Sequence, residues 1–203
     1  MNAANKLTML RIFLTVLLIT ILLFPFYMVN ISFPTYMVGK IVVDSKYVLS
    51  ALIFAIASFT DFLDGHIARK YNMVTDFGKM TDAIADKMLV NSSLIILACQ
   101  GFISPVIPVI IVIRDTFVDT VKMIAGSKGH VVAAIKTGKI KTACLMIGLI
   151  FTFIYNLPFQ LWNLDVSNFF LVLATIFSII SAIEYYSMNK SVIFEKGEVT
   201  ENK

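Results

Sequence analysis

The chain has 203 residues, of which 58% are hydrophobic and only 15% are charged, and its formal net charge at pH 7 is +4. A soluble globular domain is about 45–50% apolar and about 25% charged, so this composition excludes an ordinary soluble domain and indicates a membrane protein. Two cysteines are too few for a disulfide framework, and we expect no nucleic-acid partner, because excess lysine and arginine in a membrane protein marks its cytoplasmic side.

Six apolar segments are each long enough to cross a bilayer, whose hydrocarbon core takes roughly 20 residues of helix. The sequence therefore predicts an all-α integral membrane protein that forms one domain over 1–203, with a polar cytoplasmic tail at 189–203. The first segment lacks a small-residue cleavage site, so we expect it to be retained rather than removed as a signal peptide. The predicted helices are Leu7–Met28, Tyr47–Arg69, Lys79–Gln100, Pro105–Ala125, Gly138–Asn156 and Val166–Tyr186.

The loop charges predict the orientation of these helices. If the amino terminus is cytoplasmic, the outer loops are 29–46, 101–104 and 157–165, and they contain only two of the 17 basic residues, Lys40 and Lys46. Cytoplasmic loops of membrane proteins are enriched in lysine and arginine. We therefore expect both termini to be cytoplasmic in a multi-pass protein of the cell membrane.

Four aspartates lie inside the second and third predicted helices. Asp61 and Asp64 are three positions apart and Asp82 and Asp86 are four apart, so each pair shares one helix face. At about 1.5 Å per residue, both pairs lie roughly 21–28 Å from the outer surface, near the cytoplasmic edge of the membrane. We expect Asp61 to face Asp86 and Asp64 to face Asp82.

Four neighbouring carboxylates need cations, because like charges raise each other's pKa. Mg²⁺ or Mn²⁺ suit carboxylate oxygens and substrate phosphate, and we expect two such ions. Gly65 and Ala68 are small residues on the second predicted helix, next to Asp61 and Asp64, and they leave room for a ligand. Gly78 can expose backbone N–H groups to phosphate, and Arg69 is placed to pair with a diphosphate.

The spacing Asp61-x-x-Asp64-Gly65-x-x-Ala68-Arg69, then Gly78-x-x-x-Asp82-x-x-x-Asp86, resembles the signature of the CDP-alcohol phosphotransferase family. The opening Asn5-x-x-Thr8-x-x-Arg11 is similar to that of the same family. The resemblance implies a six-helix homodimer that moves a phosphatidyl group from CDP-diacylglycerol to an alcohol and releases CMP.

The same resemblance implies roles for individual residues. Asp86 would be the general base that takes the proton of the alcohol. The metal ligands would be Asp61, Asp64, Asp82 and Asp86. The donor site would be lined by Asn5, Thr8, Gly65, Ala68, Arg69 and Gly78.

The fourth predicted helix carries a polar stripe within an arc of about 140°, made of Arg114, Asp115, Asp119 and Lys122. A cation as deep as Arg114 must face protein or a water-filled cavity. Three further lysines, Lys136, Lys139 and Lys141, lie near the start of the fifth predicted helix. We expect an acceptor phosphate to be bound by Arg114, Lys122, Lys139 and Lys141.

The stretch 113–118, the sequence Gly138-Lys139-Ile140-Lys141-Thr142 and the pair Asp86-Lys87 resemble the phosphatidylglycerophosphate synthase branch, whose acceptor is sn-glycerol 3-phosphate. The chain departs from that branch at four positions. It has Asp115 where glutamate is common, Lys122 where arginine is common, Ala83 in place of a proline, and an additional acid, Asp119.

Other functions stay open at this point. The same chemistry could use phosphatidylglycerol (giving cardiolipin), serine or an inositol phosphate as acceptor. A divalent cation transporter would also carry aspartates within the membrane. The grouping of the acids toward one side, with Arg69 beside them, argues against a path through the bilayer.

Overall fold

The computed structural model describes the backbone of residues 3–70, 76–130 and 132–194, and the side chains of residues 5–61, 78, 80–130 and 132–191. The described chain is mostly helical. Its helices are α1 (Ala3–Leu23), α2 (Ser45–Lys70), α3 (Asp76–Cys99), α4 (Val106–Ser127), α5 (Lys136–Phe153) and α6 (Val166–Phe194). Two strands, β1 (Thr35–Val38) and β2 (Ile41–Asp44), and two short 3₁₀ turns, Phe26–Val29 and Phe159–Trp162, complete it.

All six predicted helices are present, and two of them end more than three residues from the predicted position. Helix α1 ends at Leu23 rather than at Met28. Pro25 follows after one residue, and proline disfavours helical backbone in the residue before it, which is Phe24. Helix α6 continues to Phe194, eight positions beyond the predicted Tyr186, so the predicted polar tail begins inside this helix.

Two helices of the described chain are long and apolar enough to cross a membrane by length and composition. They are Asn5–Leu23, with a mean hydropathy of 2.1, and Val166–Ser191, with a mean hydropathy of 2.2. Helices α3 and α4 carry more charged side chains, which lower their mean hydropathy. The charges that indicate a functional site therefore also weaken the hydropathy signal of the helices that carry it.

The β-hairpin was not predicted, because residues 29–46 were assigned to a loop. Its strands pair antiparallel from Thr35 opposite Asp44 to Val38 opposite Ile41. Gly39 occupies the turn with φ +63°, a conformation that glycine adopts without steric cost. Two β-rich runs separated by a Gly-Lys pair are a hairpin signal that the sequence does contain.

The helices pack around a core at the end of the bundle that carries the α3–α4 turn. Helix α1 contacts α2 and α3, while α6 contacts α4 and α5. The rings of Phe54 and Phe153 lie 5.6 Å apart in this core. At Gly148 an added Cβ would lie 2.9 Å from the side chain of Leu171, so this glycine permits the close approach of α5 and α6.

Candidate active site

Three of the four predicted metal ligands converge in the structure. Helix α2 supplies Asp61, and one face of α3 supplies Asp82 and Asp86. One carboxylate oxygen from each lies within 4.8 Å of the other two. The expected meeting of acidic residues from consecutive helices is thus confirmed for these three, and Asp61 neighbours both acids of α3.

The fourth acid and part of the predicted donor site lie outside the described side chains. Asp64, Gly65, Ala68 and Arg69 all belong to α2, whose backbone is described to Lys70. Gly78 lies in the first turn of α3. Their roles in metal and donor binding stay predictions.

Arg11 lies at the centre of the acidic cluster. Its Nη1 atom is 3.0 Å from Asp61 Oδ1 and 2.8 Å from Oδ1 of both Asp82 and Asp86. The Arg11 side chain has an exposed fraction of 0%, whereas the three acids are 33–42% exposed. The guanidinium group therefore neutralises the acids from the protein side and leaves their other side open.

Arg11 belongs to the opening segment that resembles the family, and its place among the acids is not predicted by the sequence. The signal was an arginine inside the predicted apolar helix Leu7–Met28, because such a charge must find a buried partner. Thr8, which is also buried, lies one turn earlier on the same face of α1. Asn5, another turn earlier, is half-buried, and the donor-binding role of both residues stays a prediction.

The cluster fits a divalent cation. All three donors are carboxylate oxygens, which Mg²⁺ and Mn²⁺ prefer. The Arg11 Nη1 atom, in contact with one oxygen of each acid, shows that a positive charge is accommodated at their meeting point. The residues present are therefore suited to hold a metal ion.

A second charged group lies between α4, α5 and α6, with Asp115 as its hub. Asp115 Oδ1 accepts hydrogen bonds from Arg114 Nη1 at 2.8 Å and from Lys141 Nζ at 2.7 Å. Arg114 also donates through Nη2 to Ser181 Oγ at 2.6 Å. The ring of Tyr185 lies against both Arg114 and Lys122. Its centroid is 5.7 Å from Arg114 Cζ and 5.2 Å from Lys122 Nζ. Asp115 thus fixes two predicted acceptor-binding cations.

A cavity of about 270 Å³ joins this second group to the acidic cluster. Asp86 lines it, and so do the predicted phosphate ligands Arg114, Lys122 and Lys141. Lys87 and Asp119, which form an ion pair with each other, line it as well. Lys139 is exposed and is not among the lining residues. The structure therefore brings the predicted base and three of the four predicted acceptor-binding cations to one space.

The family described as CDP-alcohol phosphatidyltransferase matches residues 1–180. A CDP-diacylglycerol–glycerol-3-phosphate 3-phosphatidyltransferase of Bacillus subtilis is 38% identical over 189 residues, covering 93% of this chain and 95% of the relative. A protein of the same name from Rickettsia felis is 34% identical over 143 residues, covering 70% of this chain and 79% of the relative.

A solved structure shares the fold. The crystal structure of a phosphatidylinositol phosphate synthase from Mycobacterium tuberculosis superposes with a TM-score of 0.61 at 17% identity. The match covers 96% of this chain and 94% of that one. The helical arrangement described above is therefore that of a known fold.

Proposed function

The chain belongs to the CDP-alcohol phosphatidyltransferase family, and on that premise we propose that it transfers the phosphatidyl group of CDP-diacylglycerol to sn-glycerol 3-phosphate. The products are CMP and phosphatidylglycerophosphate, which places the enzyme in phospholipid biosynthesis. The observation that carries this proposal is the cavity that Asp86 shares with a group of cations.

The charges that line the cavity favour a phosphate-bearing acceptor. Apart from Asp86, the lining residues comprise the cations Lys87, Arg114, Lys122 and Lys141 and the acids Asp115 and Asp119. With Asp86 counted, four cations oppose three acids, so positive charge is in excess. Lysine and arginine are the usual phosphate ligands. Serine, which carries no net charge, would leave that excess without a partner. Inositol phosphate satisfies the same charge, so a direct comparison of acceptors is needed.

The acidic cluster is proposed to hold two Mg²⁺ or Mn²⁺ ions through Asp61, Asp64, Asp82 and Asp86. When bound, such ions neutralise the diphosphate of the donor and polarise the phosphorus that is attacked. Arg11 keeps the carboxylates close to one another before the ions arrive, because it contacts three of them at once. The protein therefore presents an assembled set of ligands.

Asp86 is proposed as the general base because it belongs to both the acidic cluster and the cavity. Its carboxylate accepts the proton of the acceptor hydroxyl as that oxygen forms a bond to the phosphatidyl phosphorus. The bond from phosphorus to CMP breaks, and CMP leaves with the electron pair. A positioned base of this kind contributes typically 10²–10⁴-fold to the rate.

The donor is proposed to lie with its acyl chains in lipid and its cytidine end against Asn5, Thr8, Gly65, Ala68, Arg69 and Gly78. We propose with it six transmembrane helices, both termini in the cytoplasm and a site that opens to the cytoplasm. Support comes from the bias of basic residues away from the predicted outer loops. A homodimer is proposed from the family alone.

The test is an acceptor panel. Purified protein with CDP-diacylglycerol and Mg²⁺ is expected to release CMP with glycerol 3-phosphate at least tenfold faster than with serine, inositol phosphate or phosphatidylglycerol. Faster release with one of the others would replace the acceptor and keep the reaction class. Metal flux into liposomes that needs no nucleotide, without CMP release, would instead favour a cation transporter.

A further inference from the structure

Two buried polar atoms of residues that line the cavity have no hydrogen-bond partner among the described residues. They are Oδ1 of Asn91 and Nε of Arg114. A buried polar atom is costly to leave unpaired, and most such atoms in proteins are satisfied by protein, water or ligand. Their position beside a proposed substrate cavity points to a substrate group that completes them.

The two residues lie at the same level of the bundle. Helices α3 and α4 are antiparallel neighbours joined by a short connection. Asn91 precedes the end of α3 by about eight residues and Arg114 follows the start of α4 by about eight, so each lies roughly 12 Å from that connection. Asn91 also lies on the face of α3 that lines the cavity, together with Ala83, Asp86 and Val90.

The two atoms are complementary to a hydroxyl group. Arginine Nε–H can only donate a hydrogen bond, and an amide oxygen can only accept one. A hydroxyl does both at once. The terminal torsion of asparagine is broad, so a turn of the Asn91 amide can direct its oxygen into the cavity.

We propose that Asn91 Oδ1 and Arg114 Nε bind the non-reacting hydroxyl of the acceptor. The site thereby selects an acceptor that carries a second hydroxyl on the carbon next to the one with the attacking hydroxyl. This inference rests on the proposed function and names the part of the acceptor that the site recognises. Asn91 lies about 7.5 Å along α3 from Asp86. One hydrogen bond of about 2.8 Å joins Asp86 to the attacking hydroxyl and another joins Asn91 to the second hydroxyl. These two bonds, with the two adjacent carbons that carry the hydroxyls, are long enough to cover that separation.

The test compares glycerol 3-phosphate with 3-hydroxypropyl phosphate, which lacks only the middle hydroxyl. Wild-type enzyme is expected to prefer glycerol 3-phosphate at least tenfold in kcat/KM, since a site built to bind a hydroxyl rejects the analogue without it. In Asn91→Leu the kcat/KM values for the two phosphates are expected to differ by no more than about twofold. The variant should lose activity with glycerol 3-phosphate and keep it with the analogue.

A matched control is available directly after the same helix. Gln100 also has a buried side-chain oxygen without a described partner, and it does not line the cavity. Gln100→Leu is therefore expected to keep the wild-type preference. Asn91→Asp keeps an oxygen that can accept a hydrogen bond. Its negative charge is expected to raise KM for both phosphate substrates, and the preference for glycerol 3-phosphate is expected to stay above about threefold.

Two results would overturn the inference: a wild-type enzyme without preference, or an Asn91→Leu enzyme that keeps the preference, as it would if activity fell equally with both acceptors. The first needs no variant, so a variant that fails to fold does not prevent the test. If wild-type enzyme used neither phosphate but another alcohol, the proposed function would fail as well, and the acceptor panel separates that case from the other two.

Discussion

Nη1 of Arg11 lies 2.8 Å from Oδ1 of Asp86, a residue 75 positions later in the chain. The first helix thereby supplies a buried cation to the proposed catalytic base and to two further acids. The charge of the Asp86 carboxylate is thus balanced by Arg11, and the same carboxylate is the one for which we propose metal binding and proton transfer.

Removal of the Arg11 charge is expected to destabilise the protein when divalent ions are absent. Arg11→Met leaves Asp61, Asp82 and Asp86 to repel one another, and each kcal/mol lost lowers the unfolding midpoint by about 2–4 °C for a chain of this size. Added Mn²⁺ should then raise the midpoint more than it does in wild type. Thermal unfolding in detergent measures both effects. Lys6→Met, which removes an exposed cation from the same helix, serves as the control and should change neither.

Replacement of Asp86 by asparagine is expected to lower kcat by about 10²–10⁴-fold while the fold is kept, because the amide cannot accept the proton of the alcohol. CMP release at saturating substrates measures kcat, and size-exclusion chromatography reports the folded state. Asp165→Asn makes the same chemical change at an exposed residue before α6 and should leave kcat unchanged. Normal turnover in Asp86→Asn would exclude Asp86 as the base.

The metal-ligand assignment predicts a binding defect that does not depend on turnover. Asp61→Asn removes one of the three converging carboxylates, so Mn²⁺ affinity should fall by about 10-fold or more. The bound fraction of Mn²⁺ can be read from its electron paramagnetic resonance signal with no substrate present. Equal Mn²⁺ affinity in the wild type and in Asp61→Asn would contradict the assignment.

The cavity distinguishes between two lysines that the sequence placed in the same group. Lys122 lines the cavity and Lys139 does not. Lys122→Gln should therefore raise KM for glycerol 3-phosphate by about tenfold, with a small effect on KM for CDP-diacylglycerol, and Lys139→Gln should leave both nearly unchanged. Initial rates at varied acceptor concentration decide between them. The opposite ranking would place the phosphate outside this cavity.

The hub role of Asp115 predicts that its loss costs both stability and acceptor affinity. Asp115→Ala leaves the buried Lys141 ammonium without its carboxylate, a change that costs about 3–5 kcal/mol in other proteins. Asp115→Glu, which keeps a carboxylate, should bring the KM for the acceptor most of the way back to the wild-type value. If Asp115→Ala had wild-type stability and KM, Asp115 would not position these cations.

Local periodicity predicted much of this protein. The six helices, the pairing of Asp82 with Asp86 on one face and the convergence of that face with Asp61 follow from residue spacing, hydrophobic run length and the antiparallel order of neighbouring helices. The end of α1 could also have been placed from Pro25, since the effect of proline on the preceding residue is local.

Only the tertiary structure placed Arg11 among the acids, made Asp115 the hub of two cations, and brought Asn91 and Asp86 into one cavity with residues of α4 and α5. The physical reason is that the amino-acid sequence determines which side chains share a face of one helix. The rotation and tilt of each helix against its neighbours, which decide which faces meet, arise from the packing of the whole bundle.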